Sequence, residues 1–282
     1  MSHGRPDMSQ ATEVSLEPNE GWHCTHIYYT FCRSTLLDMD GEDVQAGRSE
    51  LIDILNPDRD GSPERIQTSI VSGHKADFGL MLMDPDPLTI DRVHQDCMAS
   101  LLGPALISTY SYVSLTEISE YVPSVEQYAE RLVQEGEEQG SPAFEAKMKA
   151  YTQREPIMRI QRLTPEFPSW PATCFYPMNK KRKVGENWFS LDFPQRNKMM
   201  AEHARSGMAF AGKVTQLITT SVGFDDWEWG VTLWARNPEF LKDIVYRMRF
   251  DEASARFAEF GPFYTSYISK PEEMLDHCRV GV

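Results

Sequence analysis

One order of secondary structure, β-α-β-β-α-β, is predicted twice along this chain of 282 residues and constrains the fold more than any other feature. In the first copy, strand-forming residues at 22–31 precede a short helical turn at Ser49 to Leu55 and two strands around Ser72-Gly73-His74. A helix from Pro87 to about Leu102 and a strand from Leu106 to Tyr121 complete it. Such a unit must bury one face of its sheet against its own helices.

The last third of the chain repeats this order. Its predicted elements are a strand at 172–176, a helix at 191–210 with Asp192 as its N-cap, a hairpin of 213–222 and 227–235, a helix from 238, and a strand at 261–268. Two such units predict an α+β fold made of duplicated ferredoxin-like units. Their antiparallel sheets would pack face to face or join into a barrel, with the helices outside.

Between the two copies the pattern changes to exposed helices. Ser124 to Gln127 fits a capping box at the start of an acidic helix, and a proline-rich connector follows a second helix. We therefore predict four segments: a disordered tail at 1–19, an N-terminal ferredoxin-like unit at 20–123, a helical insertion and linker at 124–170, and a C-terminal ferredoxin-like unit at 171–282 that carries the site.

Charge and cysteine content limit the partners of the chain. With 28 basic and 42 acidic residues the net charge is −14, which disfavours nucleic acid and anionic membranes. No segment approaches the ~20 apolar residues of a membrane span. Five scattered cysteines favour a reducing compartment, so we expect a cytoplasmic protein. The basic island at 178–183 is either a solvated loop or a local anion site.

His203 and Gln216 are polar residues on apolar faces. His203 shares a helical stripe with Met199 and Gly207, so it is either a core histidine bonded to a backbone carbonyl or a ligand. Gly207 would clear space beside the imidazole for a flat ligand. Gln216 alternates with Val214 along a strand and is expected to be buried, either bonding the backbone or pointing into a cavity.

Two further groups could carry chemistry. Tyr176, Met178 and Lys180 alternate along an extended segment and would face the same way, although a tyrosine on a strand is usually part of the core. Arg249 and Ser254 follow an amphipathic helix and could form a carboxylate clamp, or else cap the helix and pair at the surface. Because the sequence has no Cys-x-x-Cys-His motif, any haem would be bound non-covalently.

Several long motifs resemble those of the coproheme decarboxylases, the haem-synthesis branch of the chlorite dismutase superfamily. They are CFYPMNKKR at 174–182, Asn187-Trp188, the run 203–216, GFDDWEWGVTL at 223–233 and MRFDEASAR at 248–256. The resemblance spans about 172–265. Chlorite dismutases carry an arginine where this chain has Gln216, so the chain resembles the Gln-type, firmicute-like branch.

The resemblance implies roles for these residues. His203 matches the iron ligand, Tyr176 the tyrosine that becomes a radical, and Lys180 the lysine beside the second reactive propionate. Gln216 matches the distal position above the iron, and Trp188 a tryptophan of the same pocket. The residues that match propionate-holding positions are Met178, Arg249, Ser254 and, across the proline-rich connector, Arg162.

The implied substrate is iron coproporphyrin III (coproheme), which also supplies the iron and is converted to haem b. Hydrogen peroxide would be the oxidant for the decarboxylation of two propionates to vinyl groups. Two other functions stay open: a chlorite dismutase or general haem peroxidase, and a non-enzymatic porphyrin or haem carrier. The resemblance further implies a homo-oligomer, commonly a pentamer, and it leaves open a transient contact with a ferrochelatase.

Overall fold

The computed structural model describes residues 14–282. The predicted disordered tail at 1–19 therefore lies mostly outside the described residues, and its described part, 14–19, forms neither helix nor strand. No helix within 14–282 has both the length and the apolar character needed to cross a membrane.

The first copy of the repeated order forms the predicted elements, with one additional short helix and with a fourth strand that ends at Thr116 rather than at Tyr121. Its elements are β1 (His23–Phe31), α1 (Arg33–Asp38), α2 (Gly41–Ile54), β2 (Arg65–Val71), β3 (Phe78–Asp84), α3 (Pro87–Ala99) and β4 (Leu106–Thr116). The short turn predicted at Ser49 to Leu55 is wrong, because α2 is a helix of 14 residues. Its buried stripe begins at Val44 and continues through Leu51 and Ile54, so packing against the sheet supports the whole helix.

The segment between the copies forms two helices, α4 (Val125–Gln134) and α5 (Pro142–Leu163). The predicted capping box at the start of α4 is confirmed, since the Ser124 hydroxyl accepts from the Gln127 amide at 3.2 Å and the Gln127 side chain accepts from the Ser124 amide at 2.9 Å. The two helices pack through the stacked rings of Tyr128 and Tyr151, whose centroids are 4.1 Å apart.

The second copy has the predicted order and some additional short elements. They are β5 (Ala172–Lys180), β6 (Arg182–Lys183), β7 (Glu186–Asn187), α6 (Phe193–Met208), β8 (Val214–Thr220), β9 (Trp229–Ala235), α7 (Pro238–Met248), α8 (Glu252–Phe257), β10 (Ala258–Phe260), β11 (Tyr264–Ile268) and α9 (Pro271–His277). The predicted N-cap of α6 is confirmed, because the Asp192 carboxylate accepts from the Gln195 amide at 2.9 Å.

The strands of the two copies join into one closed antiparallel barrel. The order is β5-β11-β2-β3-β1-β4-β8-β9, and β9 pairs back with β5, with Tyr176 opposite Val231. Each copy contributes four strands, and β10 adds to the end of β5. The barrel alternative of the predicted α+β fold is therefore the one observed.

Alternation along the strands separates an outer from an inner core. Outward residues of β1 pack beneath α2, α3 and α9, and outward residues of β5 and β9 pack beneath α7. The interior holds a cluster of rings that includes Tyr28, Tyr112 and Phe175. Gly79 and Gly230 make room for it, since a Cβ at these positions would lie 2.6 Å from the Tyr28 ring and 2.5 Å from the Tyr112 ring.

Candidate functional site

An open cavity of about 1830 Å³ lies between strands β5, β8 and β9 of the barrel and helices α5, α6 and α7. It exceeds the roughly 300–1,000 Å³ of ordinary ligand pockets, so it has room for a large flat molecule. All nine site residues predicted from the sequence line it: Arg162, Tyr176, Met178, Lys180, Trp188, His203, Gln216, Arg249 and Ser254. The fold thus brings together residues that the sequence spreads from 162 to 254.

His203 is oriented by a buried carboxylate. Its Nδ1 lies 3.0 Å from Oδ2 of Asp251, whose side chain is 5% exposed. The other carboxylate oxygen accepts a hydrogen bond from Ser206 Oγ at 2.7 Å. A carboxylate can only accept, so we assign the ring proton to Nδ1, which leaves the Nε2 lone pair free. Among residues 14–282, Nε2 has no hydrogen-bond partner.

The protonation of His203 suits a metal ligand. Burial lowers the pKa of the imidazole, and the nearby Lys180 lowers it further, while Asp251 opposes both effects. The ring is therefore neutral at neutral pH. A neutral imidazole with its second nitrogen hydrogen-bonded to a carboxylate is the usual arrangement of a histidine that binds a metal.

Two expectations about the surroundings of His203 need correction. The alternative of a core histidine bonded to a backbone carbonyl is wrong, because the partner is the Asp251 carboxylate. The expectation that Gly207 clears space for a ligand is also wrong, because a Cβ at this position would lie 3.1 Å from Cε of Met248. Gly207 instead lets α7 pack closely against α6. The residues of α6 that line the cavity near His203 include Met200 as well as the small Ala201 and Ala204.

Strand β5 supplies three side chains to the same wall. Tyr176, Met178 and Lys180 all line the cavity, as their alternation predicts. Tyr176 is 5% exposed and stacks on Phe263 with centroids 4.4 Å apart. Burial raises the pKa of its phenol above the ordinary value, so the oxygen keeps its proton. Oxidation of this side chain must therefore release a proton together with the electron.

Lys180 and Trp188 form a pair at the far end of this wall. The Lys180 ammonium lies 4.4 Å from the centroid of the indole ring. Burial lowers the pKa of Lys180 to about 8, so the side chain is mainly charged at neutral pH. Trp188 is 3% exposed and packs edge-on against Phe257. The ammonium therefore faces an indole that is largely removed from water.

The cavity is cationic although the chain is acidic. The basic residues that line it are Arg131, Arg154, Arg162, Lys180, Arg196, Arg205 and Arg249, and the acidic ones are Glu117, Glu120 and Glu166. Of the basic island at 178–183, predicted to be either a solvated loop or a local anion site, only part faces the cavity. Lys181 pairs with Glu186 at 3.6 Å and Arg182 with Glu228 at 2.8 Å, while Lys180 faces the cavity.

Helices α4 and α5 form part of the cavity wall, and of their cavity-lining residues only Arg162 was predicted from the sequence. Arg154 and Arg162 on α5 line the cavity, and Arg131 joins them from α4. Arg154 and Arg162 lie close enough that the charge of Arg154, after burial, lowers the pKa of Arg162. The spacing of Arg154, Met158 and Arg162 along one face of α5 is the signal that could have shown this.

Gln216 lines the cavity but is exposed, so the prediction that it is buried is wrong. Along β8, Leu217 and Thr219 face the barrel interior and are buried, whereas Gln216 and Ile218 face the cavity. Of the apolar residues that alternate with Gln216, Val214 belongs to the core beneath α7, whereas Ile218 lies on an open wall and is 40% exposed. This leaves the amide on the cavity surface, where it can contact a ligand.

Comparison with known proteins gives a consistent result. A family model described as chlorite dismutase matches residues 45–269. A protein of Staphylococcus carnosus (strain TM300), named coproheme decarboxylase, is 36% identical over 272 residues, covering 95% of this chain and 98% of that protein.

Two solved structures have the same fold. A heme-binding protein from Thermus thermophilus is 28% identical, with a TM-score of 0.73 over 96% of this chain and 100% of its own. A chlorite dismutase from Candidatus Nitrospira defluvii is 17% identical, with a TM-score of 0.69 over 93% of this chain and 96% of its own.

Proposed function

The chain belongs to the chlorite dismutase family, and we propose that it uses hydrogen peroxide to decarboxylate two propionates of iron coproporphyrin III (coproheme), giving haem b. One observation carries this proposal: His203, Tyr176 and Lys180, which are distant in sequence, line a single cavity. The similarity to the coproheme decarboxylase of Staphylococcus carnosus over nearly the whole chain supports the same reaction.

The residues of the cavity fit an iron porphyrin with carboxylate side chains. His203 would bind the iron through Nε2, because Asp251 engages Nδ1 and the ring is neutral. The substrate has four propionates. Seven Lys and Arg side chains but only three Glu side chains line the cavity, although the chain has a net charge of −14. Opposite charge at the site offsets the repulsion that the acidic chain would otherwise exert on such an anion.

We assign the propionates to separate groups of residues that line the cavity. Arg249 and Arg162 would each bind a carboxylate through the fork of the guanidinium group, and Ser254 would donate a further hydrogen bond. Met178 would pack against the aliphatic part of a propionate. These contacts leave the two reacting propionates to Tyr176 and Lys180, which lie on the same face of β5.

When bound, coproheme would supply the two-electron redox chemistry of its iron, with hydrogen peroxide as the oxidant. Tyr176 then gives up one electron and its phenolic proton, and it regains a hydrogen atom from the β-carbon of the propionate. Loss of a second electron from the substrate breaks the bond to the carboxyl carbon, so carbon dioxide leaves and a vinyl group forms. Each cycle consumes one peroxide and one proton and releases two water molecules. Lys180 holds the second propionate for the next cycle.

Gln216 would occupy the side of the porphyrin opposite His203. Its amide forms hydrogen bonds without carrying a charge, so it admits neutral peroxide without retaining an anion. Chlorite chemistry would be served by a positive charge at this position, and the side chain that lines the cavity here is neutral. This observation favours the decarboxylase over a chlorite dismutase.

We also propose that the protein acts in the cytoplasm as a homo-oligomer, with a pentamer expected from the family resemblance. Sedimentation velocity of the purified protein would test this assembly. A monomer at micromolar concentration would contradict it.

The variant Tyr176→Phe tests the assigned chemistry. It removes only the phenolic hydroxyl, so coproheme should still bind with an unchanged iron spectrum while all four propionates stay intact after addition of peroxide. Tyr246→Phe is the matched control, because Tyr246 is 67% exposed and does not line the cavity. Formation of haem b by Tyr176→Phe would refute the role of this tyrosine, and rapid oxygen release from chlorite by the unmodified protein would favour a chlorite dismutase.

A further inference from the structure

We propose that Lys180 also protects Trp188 from oxidation, because its ammonium lies over the indole ring and opposes the loss of an electron from it. This inference rests on the proposed function, in which Tyr176 is oxidised inside the same cavity. It gives Lys180 a role in directing the oxidation to the tyrosine, in addition to its contact with a propionate.

The cavity contains residues that compete with Tyr176 for oxidation. Four tryptophans line it, namely Trp170, Trp188, Trp229 and Trp234. Indole is about as easily oxidised as phenol, so a strong oxidant in this cavity can withdraw an electron from either kind of ring. A site that must produce a tyrosyl radical therefore needs a means of keeping its tryptophans reduced.

Trp188 is placed where such a side reaction would matter. Its partner Lys180 lies four residues from Tyr176 on the same face of β5, which corresponds to about 13 Å along a strand. In the side reaction, the Tyr176 radical takes an electron from Trp188 and a proton from solvent. The phenol is restored, the indole is left as a cation radical, and the propionate keeps its carboxylate.

The Lys180 ammonium opposes this step by charge repulsion. The reduced indole attracts the cation through the negative face of its ring, whereas the oxidised indole carries a positive charge. The ammonium is 4.4 Å from the ring centroid, and Trp188 is only 3% exposed, so solvent screens the two charges weakly. With an effective dielectric constant of about 20, this separation disfavours the oxidised ring by a factor on the order of a hundred or more.

Of the other three tryptophans of the cavity, one has a similar arrangement, and two have none among the described residues. The guanidinium carbon of Arg236 lies 4.6 Å from the centroid of Trp170. For Trp229 and Trp234, no Lys or Arg of the described residues lies over the ring. Trp229 therefore serves as an internal reference, because it lines the same cavity without this protection.

The first experiment needs no porphyrin, so it tests the protection independently of the proposed reaction. The full-length protein is exposed to a photogenerated one-electron oxidant, tris(bipyridyl)ruthenium(III), and the oxidised fractions of Trp188 and Trp229 are measured by peptide mass spectrometry. In Lys180→Gln, which removes the charge but keeps much of the bulk, we expect the ratio of Trp188 to Trp229 oxidation to rise at least about tenfold. In Lys180→Arg, which keeps the charge, the ratio should stay near that of the unchanged protein.

An unchanged ratio of Trp188 to Trp229 oxidation in Lys180→Gln would overturn the proposal. An equal rise of this ratio in Lys180→Arg would overturn it too, since either result would show that charge is not the cause.

The second experiment repeats the measurement of tryptophan oxidation with coproheme and peroxide, where excess Trp188 oxidation in Lys180→Gln is expected again. If the excess occurs only with the ruthenium oxidant, the protective role during turnover is wrong. Absence of haem b from the unchanged protein would instead refute the proposed function and leave the first result standing.

Discussion

Removing the carboxylate of Asp251 should weaken both the fold around His203 and the binding of iron. Asp251 accepts from His203 Nδ1 at 3.0 Å and from Ser206 Oγ at 2.7 Å, and its side chain is 5% exposed. A hydrogen bond to a charged group contributes roughly 1.5–3 kcal/mol. The His203 ring is 28% exposed and can bond water instead, so the lower end of this range applies to each of the two bonds. For Asp251→Ala we expect a loss of about 3 kcal/mol in the free energy of unfolding.

Asp251→Asn separates the charge from the contact. Asparagine can still accept one of the two hydrogen bonds, so its stability should fall by less than that of the alanine variant. The imidazole nevertheless loses its carboxylate partner, and we expect coproheme affinity to fall by about 10- to 100-fold, as for other residues that orient a metal-binding histidine. The affinity is measured by titration of the ferric Soret band, and stability by denaturant unfolding.

Glu252→Gln is the matched control for both variants. Glu252 is the next residue, its side chain is 48% exposed, and it pairs with Arg256 one helical turn away. Its replacement should cost no more than about 0.5 kcal/mol and leave coproheme binding unchanged. Asp251→Asn with the coproheme affinity of the unchanged protein would refute the assignment of His203 as a ligand held by this carboxylate.

Two further predictions concern the charges of the cavity. Burial lowers the pKa of Lys180 to about 8, so its ammonium is lost as the pH rises through that value. The affinity for coproheme should therefore fall above pH 8 in the unchanged protein, whereas Lys180→Met should show no such fall. An identical pH dependence in both proteins would contradict this role. Arg154→Gln should slow the association of coproheme several-fold at low salt and have little effect at high salt. Lys149→Gln is the control for Arg154→Gln, because this exposed lysine on the same helix does not line the cavity. Equal slowing of association in both variants would exclude a local effect of Arg154.

The fold class could be predicted from the sequence because each helix and strand is specified by residues that are close together in the chain. Strand-forming residues in β1, and the caps at Ser124 and Asp192, specify each element independently of the rest of the chain. Closure of the barrel depends on the pairing of β4 with β8 and of β2 with β11, which join the two copies. Periodicity alone could not distinguish this barrel from two stacked sheets.

The candidate site was predicted in its members but not in its physical details. Motif resemblance named the nine cavity residues, whereas Asp251 and His203 are 48 positions apart and no spacing rule connects them. Gln216 was expected to be buried because a strand that lines an open cavity alternates in the same way as one that lines a core. Of the two cavity arginines on α5, the resemblance named Arg162, whereas Arg154 was missed because other basic residues of the same helix, such as Lys149, do not line the cavity and charge alone does not distinguish them.

Mass spectrometry of the purified protein, mixed with coproheme and titrated with hydrogen peroxide, tests the central claim most directly. We predict that the porphyrin loses the mass of one carbon dioxide and two hydrogens twice in succession, and that the final product is haem b. Tight binding of coproheme with no change in its mass at any peroxide concentration would contradict the account.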